Sequence, residues 1–138
     1  MGVTRVVAID PGRDKCGVAV VDAGQGTLHR QVAPTQQLLS IAQELLSRYE
    51  CRTIVLGDQT SSAVARQSLQ PLLDQNKIDD IIFIDEHGST ETARSRYWQA
   101  CPPTGWRCLI PRGLLVPPCA IDDFAAIILA ERYFKKIF

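Results

Sequence analysis

The residues with the clearest chemical potential are acidic, and they recur at the ends of apolar runs. Asp10 closes the first such run, Asp85 and Glu86 follow the fifth, and Asp122 and Asp123 open the last apolar helix. Ligands of open α/β sheets bind beyond the carboxyl ends of the strands. Asp10 and Glu86 should therefore project to one edge if their strands run parallel, and the final helix could bring Asp122 there. Three converging carboxylates repel one another unless a cation lies among them. Mg²⁺ or Mn²⁺ suits such oxygen ligands and keeps waters for work on phosphates. Two ions about 4 Å apart can activate a water and stabilise the leaving oxygen of a phosphodiester. That route needs no serine or histidine nucleophile, and the sequence offers none that is convincing. Each acid also has a plainer reading. Asp10 before Pro11-Gly12 is a turn former, Asp122 and Asp123 are good helix caps, and Asp85-Glu86 would complement a helix start. Asp58 closes another run at the same edge.

These acids must be positioned by regular elements. Residues 3–9 form a β-rich run ended by Asp10-Pro11-Gly12, and residues 17–21 and 27–33 form two more, joined by a turn over 22–26. The three read as an antiparallel meander. Pro34-Thr35 then opens a helix whose apolar positions run from Leu38 to Tyr49 at helical spacing. Residues 53–56 form an apolar strand. Thr60-Ser61-Ser62 caps a helix that Pro71 should kink or split. Residues 81–84 form a further strand, and Ser89-Thr90 caps a helix to about residue 100. Residues 101–118 carry prolines at 102, 103, 111, 117 and 118 and read as a long ordered loop. The last helix, from about Asp122, is apolar all round and should pack deep against the sheet. The order predicts a mixed five-stranded sheet with helices on both faces, since strands joined through helices run parallel.

The totals set bounds. A chain of 138 residues, 46% hydrophobic and 22% charged, fits one α/β domain over 1–138 with a proper core. It begins without a signal peptide and has no run that could span a bilayer, which points to the cytoplasm and away from a membrane. Zero formal charge excludes a strongly basic nucleic-acid module. One segment is locally basic: between Glu91 and Asp122 there are Arg94, Arg96, Arg107 and Arg112 and no acid. It reads either as a solvated helix face and loop or as a phosphate-binding surface. The five cysteines form no C-x-x-C pair and read as small buried apolar groups. A Cys101–Cys108 disulfide is disfavoured in a reducing compartment.

Several of these motifs together resemble a known family. Ile9-Asp10-Pro11-Gly12 with Gly17 is similar to the opening motif of RuvC-type Holliday-junction resolvases. Gly17-Val18-Ala19, Ile54-Val55-Leu56-Gly57, Asp85-Glu86-His87-Gly88-Ser89-Thr90 and Asp122-Asp123-Phe124-Ala125-Ala126 resemble the YqgF (RuvX) family of resolvases and pre-16S ribosomal RNA processing nucleases. The resemblance runs from the first strand to the last helix. It implies a ribonuclease H-like fold with strand order 3-2-1-4-5. It also implies a Mg²⁺- or Mn²⁺-dependent nuclease acting on a ribosomal RNA precursor or branched DNA. Asp10, Glu86 and Asp122 match the family's catalytic, metal-binding acids. Asp10 would bridge two ions, with Glu86 and Asp122 holding one each. Asp85, Asp123, Thr90, Gly12 and His87 are accessory positions. Arg94, Arg96, Arg107 and Arg112 become phosphate contacts, and Trp106 a base-stacking candidate, with Trp98 better suited to packing. Cutting two strands symmetrically would call for a homodimer. The chain departs from the family at His87, where arginine is usual, at Gly57-Asp58, where glycine-proline is common, and in its proline-rich loop.

Two other readings remain. An actin-like or sugar-kinase-like ATPase also opens with Asp-x-Gly after a first strand, but needs two such domains around the nucleotide. A non-catalytic member of the fold, binding ribosomal RNA or a protein, would be marked by an incomplete acidic set.

Overall fold

The computed structural model describes residues 4–58, 61–85, 99 and 122–137, with the side chains of Asp122, Lys136 and Ile137 not described. Five strands are present: β1 (Arg5–Asp10), β2 (Lys15–Asp22), β3 (Gly26–Pro34), β4 (Thr53–Gly57) and β5 (Asp80–Ile84). They form one sheet in the order β3-β2-β1-β4-β5. β1–β2 and β2–β3 pair antiparallel, whereas β1–β4 and β4–β5 pair parallel. The mixed five-stranded sheet in the order 3-2-1-4-5 expected from the sequence is therefore the one found. β2 to β5 run one to three residues longer than hydropathy alone marks, whereas β1 begins at Arg5 and ends one residue later than expected, at Asp10. β2 takes in Lys15 and Asp22 because the backbone ladder continues past the last apolar side chain, with Lys15 opposite Pro34 and Asp22 opposite Arg5.

Both faces are covered, and strand alternation sorts the core into two halves. Val7, Ile9, Cys16, Val18, Val20, Ile54 and Leu56 turn to one face, where they meet α1 (Leu38–Arg48) and α2 (Ser62–Asp74). Val6, Ala8, Ala19, Val21, Val55 and Ile84 turn to the other, against α3 (Asp122–Ile137). Val6 to Ile9 and Val18 to Val20 are fully shielded from solvent, which explains why the central strands read as continuous apolar runs. In α3 every residue from Asp123 to Ala130 is buried. Each large aliphatic side chain so placed contributes roughly 1.5–3 kcal/mol.

Two expectations for the helices need correction. Pro34-Thr35 opens a 3-10 turn, Thr35–Gln37, and α1 begins only at Leu38. The Thr35 hydroxyl is turned back to the Gly12 carbonyl at 2.9 Å and makes no cap. Pro71 does not split α2, which runs unbroken to Asp74. It stands in the last turn, where the N–H it lacks would have met the carbonyl of the exposed Gln67. Ser61 is the N-cap residue, but its side chain makes no capping bond. The helix expected over 89–100 and the loop over 101–118 lie outside the described residues, apart from helical Gln99.

The turn between β2 and β3 is built on Asp22. Its Oδ1 accepts the N–H groups of Gly24 at 2.8 Å and Gln25 at 3.0 Å, and its Oδ2 accepts Arg5 Nε at 3.2 Å. These bonds hold the Asp22 carboxyl below its ordinary pKa, the Gln25 and Gly24 amides contributing most. Gly26 closes the turn at φ +83, which L side chains adopt poorly. Cys16 and Cys51 are free and buried, as small apolar groups. The other three cysteines fall outside the described residues. Among the described residues no helix is long and apolar enough to cross a membrane.

Candidate functional site

The parallel pairing of β1, β4 and β5 brings their carboxyl ends to one edge. Ile9 stands beside Leu56 and Leu56 beside Phe83, so Asp10, Gly57 and Ile84 are the next positions outward. Asp10 is half-buried. Alternation along β1 gives it the face of Val6 and Ala8, which is the face that α3 covers. Gly17 is its partner on β2, and Gly57 follows Leu56 on β4. Neither neighbour brings a side chain to compete for space beside the carboxylate. Asp58 and Asp85 come next along the chain, both exposed. The Asp58 N–H bonds the Ile84 carbonyl at 3.2 Å, which joins the ends of β4 and β5.

Helix α3 crosses all five strands, and its two ends are tied down separately. Near its start, Asp123 Oδ2 accepts Arg30 Nη1 at 3.0 Å. Arg30 pairs with Ala19 on β2, and Ala19 with Ala8 on β1. The start of the helix is thus anchored level with Ala8, one same-face position before Asp10. Towards its far end, Arg132 Nη1 donates to the Asp85 carbonyl at 2.6 Å. The helix covers the face on which Asp10 ends β1, with Asp122 as its first residue.

A rigid turn bounds the edge on the β2 side. Gly12 has no room for a Cβ, which would run into the Lys15 carbonyl. Thr35 grips the same turn twice: its hydroxyl donates to the Gly12 carbonyl at 2.9 Å and its N–H to the Asp14 carbonyl at 3.0 Å. Its Oγ1 also lies 3.4 Å from Cys16 Sγ. Arg13 and Lys15 are exposed on this turn.

Of the acids expected to meet here, Asp10 ends β1 on the face that α3 covers, and the start of α3 is bonded to Arg30 level with Ala8. Glu86 lies outside the described residues, directly after Asp85. Among the described residues no three His, Cys, Asp or Glu side chains form a metal-holding group. Asp123 is engaged with Arg30. His87, Thr90, Arg94, Arg96, Trp98, Trp106, Arg107 and Arg112 are also outside the described residues. Sequence reasoning missed Arg30, Thr35 and Arg132. Each acts across a large gap in sequence, to Asp123, Gly12 and Asp85, and no local motif marks such a partner. A cavity of about 460 Å³ lies at the other end of the parallel strands, lined in part by Leu46, Glu50, Cys51, Arg52, Leu72 and Lys77, and not by Asp10, Asp58 or Asp85.

The donors at the edge fit a hard cation. The described carboxylates offer oxygen only, whereas the thiol of Cys16 belongs to the opposite face of the sheet. Asp10 and Asp122, with Glu86, would be the residues to hold such an ion.

No protein-family model matches the sequence, and no curated protein matches it at a significant level. Solved structures share its fold. Thermus thermophilus RuvC, in complex with a Holliday junction substrate, superposes with a TM-score of 0.65 at 14% identity, covering 97% of this chain and 96% of that one. The fowlpox virus Holliday junction resolvase in complex with its junction DNA gives 0.61 at 13% identity over 97% and 99%. A second structure of the fowlpox virus Holliday junction resolvase gives 0.59 at 12% identity with the same coverage. At these identities the likeness shows the fold.

Proposed function

We propose that this chain is a nuclease that cuts branched DNA, with Asp10, Glu86 and Asp122 as its catalytic acids and Mg²⁺ or Mn²⁺ as its cofactor. One observation carries the reading. Asp10 ends the central strand on the face beneath α3, between two glycine neighbours, and α3, which begins with Asp122, is tied by Asp123 to Arg30 level with Ala8. The whole-length likeness to resolvases described with junction DNA supports the choice of substrate. A bound divalent cation would supply neutralisation of the acids and stabilisation of charge on the phosphoryl oxygens. Asp10, fixed at the end of a strand whose residues Val6 to Ile9 are fully buried, would keep its carboxylate in place during that work. Exposed Arg13 and Lys15 on the turn clamped by Thr35, together with Arg94, Arg96, Arg107 and Arg112, would contact the DNA backbone, and Trp106 would stack on an unpaired base. A homodimer would present two such edges to the two strands to be cut.

The test uses the purified chain with Mn²⁺ or Mg²⁺ against a four-way junction, a linear duplex, a single strand and a ribosomal RNA precursor. Cleavage of the junction over the linear forms is expected, with Asp10→Asn folded, still binding junction and unable to cut. Preferential processing of the RNA precursor would move the substrate to RNA. Equal cleavage by parent and Asp10→Asn, or junction binding with no cleavage under any condition, would overturn the nuclease reading; the second outcome favours a binding factor.

A further inference from the structure

The two adjacent acids that open α3 look interchangeable in sequence, but their environments differ. Asp123 is 6% exposed, and both of its oxygens have partners. Oδ2 accepts Arg30 Nη1 at 3.0 Å and Oδ1 accepts the Phe124 N–H at 3.0 Å. The guanidinium of Arg30 also lies 4.5 Å from the centroid of the Phe124 ring. Arg30 is thus held by a carboxylate and by the π-face of the next residue on the same helix. Phe124 belongs to the core between α3 and the sheet.

We propose that Asp123 is a positioning residue and not a metal ligand. With Arg30 it fixes the first turn of α3 and leaves Asp122 as the acid of that turn for a divalent cation. The inference rests on the nuclease reading and deepens it. Two arguments support it. A carboxylate placed next to metal-binding acids adds repulsion whenever the cation is absent, and the Arg30 cation offsets that charge where it arises. The pair also joins α3 to β3, an edge strand. It sets the height of the helix start along β2 and β1 through the register Arg30–Ala19–Ala8. A misplacement of about 1 Å at a catalytic group can cost on the order of a hundredfold in rate, so a bond that fixes this turn acts directly on Asp122.

Four variants test the assignment: Arg30→Gln, Asp123→Asn, the double variant, and Asp122→Asn for comparison. Arg30 is nearly half exposed on β3, and Asp123→Asn keeps its shape, so folding is expected in all four. The measurements are thermal unfolding of the metal-free protein, calorimetric titration with Mn²⁺, and junction cleavage at saturating Mn²⁺. If the pair positions Asp122, both single variants lose roughly tenfold to a hundredfold in cleavage. Their Mn²⁺ affinities shift in opposite directions, severalfold weaker in Asp123→Asn, which leaves a bare cation, and severalfold tighter in Arg30→Gln, which leaves a bare anion. The double variant, where amide can bond amide without net charge, recovers towards the parent in both. Asp122→Asn loses cleavage and Mn²⁺ binding together. Loss of Mn²⁺ binding in Asp123→Asn equal to that in Asp122→Asn, with no recovery in the double variant, would show a ligand and overturn the proposal. Lower unfolding temperatures with unchanged Mn²⁺ affinity and cleavage would reduce the pair to a structural tie and overturn it too. A parent protein that neither binds Mn²⁺ nor cuts would remove the nuclease reading itself, an outcome visible before any variant is compared.

Discussion

The side chain of Arg132, near the far end of α3, is hydrogen-bonded to the backbone carbonyl of Asp85, the first residue beyond β5. The bond joins the last helix to the point where the chain leaves the sheet on its way to Glu86. Together with the Arg30–Asp123 pair at the other end of α3, it fastens one helix to both edge strands. The central strand between those anchors ends in Asp10.

Arg132→Met keeps the aliphatic stem and removes the bond. The contact is exposed, so a cost of about 1 kcal/mol in urea-unfolding free energy is expected. On the nuclease reading, single-turnover cleavage measured well below the unfolding transition falls further than that loss accounts for, because the segment entering Glu86 is no longer tied to α3. An unchanged cleavage rate in a destabilised protein would confine Arg132 to stability.

Gly12→Ala is expected to destabilise more than an exposed turn substitution usually does. The new methyl would meet the Lys15 carbonyl, which is backbone held in the β1–β2 connection, and overpacking of this kind costs about 2 kcal/mol. Chemical denaturation measures it directly. A neutral substitution would mean that the turn can shift as a unit despite its bonds to Thr35.

Thr35→Val preserves shape and removes the hydroxyl that donates to Gly12 and touches Cys16 Sγ. The main-chain bond from residue 35 to Asp14 remains. A loss of about 1 kcal/mol is expected, with faster amide hydrogen exchange confined to the neighbourhood of residues 12–16. Uniform acceleration over the sheet would instead point to a global effect.

The backbone plan was legible because its signals are local. The two-residue alternation that puts Val7 and Ile9 on one face and Val6 and Ala8 on the other is written in consecutive letters, and the apolar circumference of α3 is written in Phe124–Ala130. The antiparallel and parallel halves followed from connection length. Helix starts were harder. Thr35 looks like a cap in sequence, yet its hydroxyl serves a carbonyl 23 residues away. Asp10 could be placed at the right edge from strand order alone. The engagement of Asp123 could not, because it depends on Arg30, 93 residues away in sequence.

Cys51 should be chemically silent in the folded protein. Its Sγ is buried and within 3.2 Å of the Arg5 carbonyl, and burial pushes the thiol pKa above its ordinary value of 9.0. The thiolate is the reactive form. Iodoacetamide at pH 8 is therefore expected to modify Cys51 only when urea unfolds the chain, as read by peptide mass spectrometry. Native-state labelling as fast as in urea would contradict the burial.

Asp22 should make folding stability depend on acidity. Its carboxylate accepts the amides of Gln25 and Gly24 and is paired with Arg5, and these bonds lower its pKa below 3.8 in the folded protein. A group whose folded pKa is depressed binds its proton more readily in the unfolded chain. Its stabilisation is therefore present in full above the ordinary carboxylate value and fades as pH falls through 3.8 towards the folded value. Asp22→Asn abolishes the titration, and its amide oxygen can still accept a turn N–H. The urea midpoint of the parent should fall more steeply than that of Asp22→Asn as pH is lowered through this interval, while the two profiles run parallel between pH 6 and 8. Parallel profiles at acid pH as well would mean that the turn bonds survive protonation, and that the Arg5–Asp22 pair is no source of acid sensitivity.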